Sequence, residues 1–241
     1  MTTFNHYIAL GDSMSIDLYP SLDLGHEVNE LPIGAASLLH TNHDATWPEM
    51  SGKDLSTRFP GIEITNLTSD GATTSLVLNS QLSALRRLAD NGERSLVSLT
   101  IGGNDLLEAL GDFANLEQAA RRTASNVARC LDKLAAIQPG AFTIVTTVYD
   151  PTDGTGNLPG LSELVGKLPI EHLNLLNDSI RELGGREQVQ VADAQQHFHG
   201  HGMTAPEDDR WYWARNPIEP NARGAHELRK LWLATLDAAE D

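Results

Sequence analysis

Short apolar runs closed by turn residues alternate along this chain with stripes of helical period, and that alternation limits the fold more than any other feature. The runs cover 6–10, 62–67, 96–101, 142–149 and 189–192. Four of them end in turn sequences: Gly11-Asp12-Ser13, Gly102-Gly103, Asp150-Pro151 and Asp193. Apolar runs this short with such boundaries read as buried strands. Between them, Leu78, Leu82, Leu85 and Leu88 share one helical face over 76–88. Leu116, Ala120, Thr123, Val127, Leu131 and Leu134 do the same over 116–137. Asn115 with Gln118 predicts a capping box at the start of that helix, and Pro139-Gly140 a stop. Leu173, Leu176, Ile180 and Leu183 form a third stripe. Leu228, Leu231, Trp232 and Thr235 form a last one, entered through Pro220-Asn221.

Strands alternating with helices imply right-handed crossovers and a parallel sheet covered on both faces. The expectation is therefore an α/β fold with a flavodoxin-like sheet of about five strands. In that order the first and third strands lie side by side at the switch point, where ligands bind in open α/β sheets. Three stretches fall outside this scheme: a loop over 17–42, a Gly/Pro-rich stretch over 151–169 and a polar one over 195–217. Long loops in compact domains are commonly functional. With no repeat or linker in view, residues 1–241 read as one domain.

Charge and cysteine content narrow the function classes. Against 33 acidic residues stand 17 Lys and Arg, a net charge of −16. Nucleic acid and anionic membrane, which need a positive patch, are excluded as main partners. No apolar run approaches membrane-span length, and no signal peptide opens the chain, so the expected location is cytoplasmic. The lone Cys130 excludes an internal disulfide and a cysteine-cluster metal site. His197-Phe-His-Gly-His201 alternates its imidazoles but has no matching acidic pair, and reads as a polar loop rather than a metal site. No cofactor or metal is expected, and the oligomeric state is left open.

Ser13 and Asn104 each follow glycine just past the ends of the first and third strands. A serine there could be a nucleophile, and the asparagine amide could donate to a developing oxyanion. Gly71, after the second strand, would present its backbone N–H to the same place. Gly-Asp-Ser or Gly-Gly-Asn-Asp alone would be a turn or a helix cap; occurring together, in order, at successive strand ends, they point to one site.

Those motifs also carry a family resemblance. Tyr7-Ile-Ala-Leu-Gly-Asp-Ser13 resembles the first block of the GDSL-type SGNH hydrolases. The segment from Asn66 through Gly71 resembles the second, Thr100-Ile-Gly-Gly-Asn104-Asp the third, and Ile218-Glu-Pro-Asn-Ala-Arg-Gly224 the last. The resemblance implies a three-layer α/β/α sandwich and hydrolysis of a small-molecule ester by a serine nucleophile without a cofactor. The expected substrate is a small acyl or acetyl ester, with carbohydrate and lipid esters in range.

The last block departs from the family pattern. Its aspartate and histidine positions hold Asn216 and Glu219. Three readings follow. Glu219 could take the base role, since burial can raise a carboxyl pKa by several units and the protein's negative charge pushes the same way. An ion pair with an arginine such as Arg223 would do the opposite. Alternatively, His197, His199 or His201 could enter from the preceding loop. In the third reading the site binds without turnover, as a non-catalytic protein on the same fold. Trp211, Tyr212 and Trp213 either line a substrate pocket or anchor that loop.

Overall fold

The computed structural model describes residues 3–27, 30–88 and 94–240, with only the backbone described for Leu88, the last residue of the 76–88 stripe, and for Phe113 and Val165. Its central sheet has five parallel strands: β1 (His6–Gly11), β2 (Glu63–Asn66), β3 (Ser95–Thr100), β4 (Phe142–Thr146) and β5 (Val189–Ala192). Their order is β2-β1-β3-β4-β5. β1 thus pairs with β3, and the register sets Gly11 opposite Thr100. The carboxyl ends of the two strands lie level at the switch point.

The two-residue period of the strands divides the core into two layers. Tyr7 and Ala9 face a cluster that includes Leu39 and Trp232. Ile8 and Leu10 face the opposite way, onto Val127, Leu131 and Leu176. The second cluster is covered by the helices Leu116–Ile137 and Ile170–Glu182, the first by Ala222–Glu240 and Ala35–His40. This is the expected α/β/α sandwich.

Local structure departs from the sequence expectation in four places. Asn115 precedes the helix Leu116–Ile137, but its side chain makes no cap hydrogen bond. Its amide donates instead to Asp112 at 2.7 Å, so no capping box forms. The helix expected over 76–88 begins at Thr74 and passes through a π-helical turn, Val77–Gln81. Such turns recur at functional sites, and this one turns Gln81 inward. The 17–42 stretch holds two short helices, Leu18–Asp23 and Ala35–His40, tied together where Asp17 accepts from the Gly34 N–H (2.6 Å) and the Ser37 hydroxyl (3.0 Å). Finally, 195–217 is not wholly loop. The helix Ala194–Phe198 is capped by Asp193. It is followed by an antiparallel ribbon, β6 (Tyr212–Trp213) with β7 (Asn216–Pro220). The prolines of β7 disguise it, because proline breaks a strand pattern everywhere but at an edge. Among the described residues no helix is long and apolar enough to cross a membrane.

Candidate active site

The first strand end is fixed by backbone sterics. Gly11 has φ +121°, and a Cβ there would stand 1.8 Å from the Thr100 carbonyl oxygen. Only glycine lets β1 turn this close to β3. The Gln81 amide clamps the turn from both sides: it accepts from the Gly11 N–H at 2.8 Å and donates to the Gly11 carbonyl at 2.8 Å. Asp12 is held by its own N–H donating to Thr100 O at 3.0 Å. Its carboxyl accepts from the Met14 N–H at 3.2 Å and is pushed up to about 7, chiefly by burial. Ser13 follows, nearly buried, with its hydroxyl facing the Glu219 carboxyl.

The loop after β2 joins this end where the Ser69 N–H donates to the Gly11 carbonyl at 3.1 Å. Gly71 sits in that loop at φ +66° and is exposed; it is not one of the residues lining the cleft described below. Asn104 reaches across from the end of β3, one amide N–H donating to the Ala72 carbonyl at 2.9 Å. An amide carries two N–H donors, so the second is left for the cleft. Asp105 accepts from the Thr74 N–H (2.9 Å) and hydroxyl (2.5 Å), a structural tie between the β3 turn and the start of the helix that precedes β3.

Glu219 lies on β7 and is 4% exposed. The ribbon is seated by side chains. Tyr149, past the end of β4, donates its hydroxyl to the Ile218 carbonyl at 3.0 Å. Asn221 donates to the Arg210 carbonyl at 2.8 Å and caps the final helix by accepting from the Gly224 N–H at 2.8 Å. Burial pushes the Glu219 carboxyl up to about 8; the Ser13 hydrogen bond pulls it down, while repulsion from Asp12 and Asp70 adds to the rise. Arg223 donates to the Asp208 carbonyl at 2.8 Å instead, and Glu219 forms no ion pair among the described residues.

The histidines are placed elsewhere. His197 lies 3.3 Å from Glu227, His199 is exposed, and His201 stacks on Trp211 with its Nδ1 2.9 Å from the Asp209 carbonyl oxygen. None of the three lines the cleft that holds Ser13 and Glu219. His226, on the final helix, stacks on Trp47 at 3.9 Å and accepts from Arg229 at 2.6 Å, and burial drives it down to about 4. Trp211 and Tyr212 are buried in the core, so they anchor the ribbon.

The cleft and the solvent at its open mouth together span about 850 Å³. Asp12, Ser13, Asn104 and Glu219 line it together with a leucine-rich wall that includes Leu106, Leu107, Leu110 and Leu168. His172, at the start of the helix Ile170–Glu182, is the imidazole on that wall. Sequence reasoning missed this wall, although its segment over 151–169 stands out as a long Gly/Pro-rich stretch. Among the described residues no group of three or more His, Cys, Asp or Glu could hold a metal ion.

A model of the GDSL-like lipase/acylhydrolase family matches residues 9–226. No curated protein matches the chain. Among solved structures, the extracellular lipase of Streptomyces rimosus is similar over 99% of this chain and 100% of its own, at 20% identity and TM-score 0.64. Phospholipase A1 of Streptomyces albidoflavus NA297 is similar over 98% and 99% (22%, TM-score 0.58). The acetyl xylan esterase AlAXEase is similar over 95% and 98% (14%, TM-score 0.56). At these identities the structural likeness concerns the fold.

Proposed function

The chain belongs to the GDSL-like lipase/acylhydrolase family and is a carboxylic ester hydrolase, and we propose that it works through a Ser13 acyl-enzyme with Glu219 as its base. One observation carries the reading. A buried carboxyl, unpaired with any cation among the described residues, faces the Ser13 hydroxyl, and its burial pushes it up to about 8.

In the proposed sequence, ionised Glu219 takes the Ser13 proton as Oγ bonds to the ester carbonyl carbon. The carbonyl electrons move onto oxygen. The Ser13 N–H and the free N–H of Asn104, both on the cleft wall, receive that charge, an arrangement worth several kcal/mol when preorganised, with the Gly71 N–H of the adjoining loop proposed as a third donor. As the intermediate collapses, the C–O bond to the alcohol breaks and Glu219 returns its proton to the leaving oxygen. Water then attacks the acyl-enzyme. Glu219 takes the water proton and passes it to Ser13 as the acid leaves. A base of pKa about 8 is closer to a serine hydroxyl in proton affinity than an ordinary carboxylate, which makes the transfer less uphill.

The leucine wall favours a neutral ester with an apolar acyl or alcohol part, and the cleft has more room than an acetyl group fills. The carboxyl groups lining it disfavour an anionic substrate.

The test is a pH–rate profile on a neutral p-nitrophenyl ester. Only ionised Glu219 is a base, so kcat/KM should rise with pH and level off above about 8. Glu219→Gln should lose this limb and roughly 10²–10⁴-fold in rate. A fluorophosphonate should label the wild type and leave Ser13→Ala unlabelled. A Glu219→Gln enzyme that keeps both rate and limb would move the base elsewhere, His172 being the imidazole on the wall. A binding protein without turnover would show no label and no acyl-enzyme burst.

A further inference from the structure

Outside the cleft lining, a phenol stands between the loop after β2 and the β6–β7 ribbon. Tyr19, on the short helix Leu18–Asp23, directs its hydroxyl at both carboxylate oxygens of Asp70, 3.1 and 3.0 Å away. The Asn216 side-chain amide lies close enough to the same hydroxyl to favour its ionised form, as a donor would. The Tyr19 ring lies 5.7 Å from the Trp213 ring, and Trp213 pairs with Asn216 across the ribbon. Asp70 directly precedes Gly71 in the chain, and Asn216 stands three residues before Glu219 on β7. We propose that Tyr19 is a positioning residue of the esterase: through Asp70 it fixes the loop carrying Gly71, and through Asn216 the strand carrying Glu219. One hydroxyl thereby sets the distance between an oxyanion donor and the base. This inference rests on Glu219 being the base.

The geometry also explains why an amide suits position 216. Tyr19 already donates its single proton to Asp70, so its remaining partner must be a donor, which the Asn216 amide is and an ionised aspartate is not. The clasp holds the exposed Asp70 carboxylate towards Glu219 as well, where its repulsion favours the protonated carboxyl. The other groups around Glu219 are Asp12 beyond β1, Tyr149 beyond β4 and Tyr19 itself, with Asp150 and His172 on the cleft wall. Arg223 is turned away to Asp208. Of these charges only Asp70 is held in place by the clasp.

Kinetics on the neutral ester test the proposal with the conservative variants Tyr19→Phe, Asp70→Asn and Asp70→Ala. In Tyr19→Phe the hydrogen bond to Asp70 and the contact with the Asn216 amide are lost, and Asp70 is free to turn into solvent. The expected result is a fall in kcat of about tenfold with KM within about twofold, together with a rising limb shifted to lower pH by about half a unit. Asp70→Asn removes the charge but keeps an acceptor for Tyr19. Its limb should shift the same way with the smaller loss of kcat, whereas Asp70→Ala should lose kcat as Tyr19→Phe does. A residue that merely supports the fold would lower the melting temperature without moving the limb. The proposal is overturned if Tyr19→Phe keeps the wild-type kcat and limb, or if Asp70→Asn and Asp70→Ala are indistinguishable. Those outcomes leave the Glu219 reading intact as long as Glu219→Gln abolishes the limb. If Glu219→Gln retains the limb, the base assignment itself has failed.

Discussion

The carboxyl end of β1 and the β6–β7 ribbon meet at one cleft but are built by opposite means. At β1, main-chain atoms do the positioning. Gly11 turns at φ +121° against Thr100, and each of its peptide groups is matched to Gln81. At the ribbon, side chains do it: Tyr149 holds Ile218, Asn221 holds Arg210, and the Tyr19 ring lies against Trp213. A main-chain turn of this kind leaves one residue type at one place. A strand docked by side chains can exchange what it carries into the cleft. The β1 end therefore keeps the form of the family's first block, and the ribbon carries a carboxyl, the proposed base, where the resemblance implies an imidazole.

The largest expected effect breaks the β1 side. Gly11→Ala would press a methyl group against the Thr100 carbonyl and force a φ that L-residues avoid. Destabilisation on the order of 3–5 kcal/mol is expected, with activity lost alongside it. Urea melts would show it as a lower midpoint with an unchanged slope. A variant melting within about 1 kcal/mol of wild type would show that the β1 end is not fixed in the way described. Asn104→Ala comes next. It removes a proposed oxyanion donor and its tie to Ala72, so kcat should fall about 10²–10³-fold while KM changes little. A loss confined to KM would make Asn104 a substrate-binding group instead.

This contrast also explains what could be read in the sequence. The sandwich and the strand-end positions of Ser13 and Asn104 were legible because they rest on local signals: short apolar runs, helical stripes and glycines at turns; the β1–β3 adjacency followed only from the flavodoxin-like order assumed for such a sheet. The ribbon was hidden because Pro217 and Pro220 mask a strand, and because its docking partners, Tyr19 and Tyr149, lie some 200 and 70 residues away in the chain. Glu219 was found only as a departure from a motif. Its environment is set by burial, which no spacing rule reports. His226 shows the converse. It stands seven residues from Glu219 in the chain, yet Trp47 and Arg229 engage it far from Ser13. The leucine wall was illegible because the segments forming it, 106–110 and 168–173, meet only through the fold.

The smallest expected effect sharpens the ribbon side. Tyr149→Phe deletes the hydroxyl that donates to Ile218 and leaves the ring in its place between Phe198 and Tyr212. The half-buried Ile218 carbonyl then loses this partner, a loss of about 1–2 kcal/mol. For a chain of this length that lowers the melting temperature by roughly 2–8 °C. Because the hydroxyl holds the strand carrying Glu219, kcat should fall more than the stability loss alone explains, and the fall should persist at temperatures well below the melting transition. The direction of the pH limb is a second check. Tyr149 is held neutral far above its ordinary range by burial, so its removal takes away no charge near Glu219. The limb should therefore stay where it is, unlike that of Asp70→Asn. A limb that moved as far in Tyr149→Phe as in Asp70→Asn would mean that the ribbon's position, rather than the neighbouring carboxylate, sets the proton affinity of Glu219.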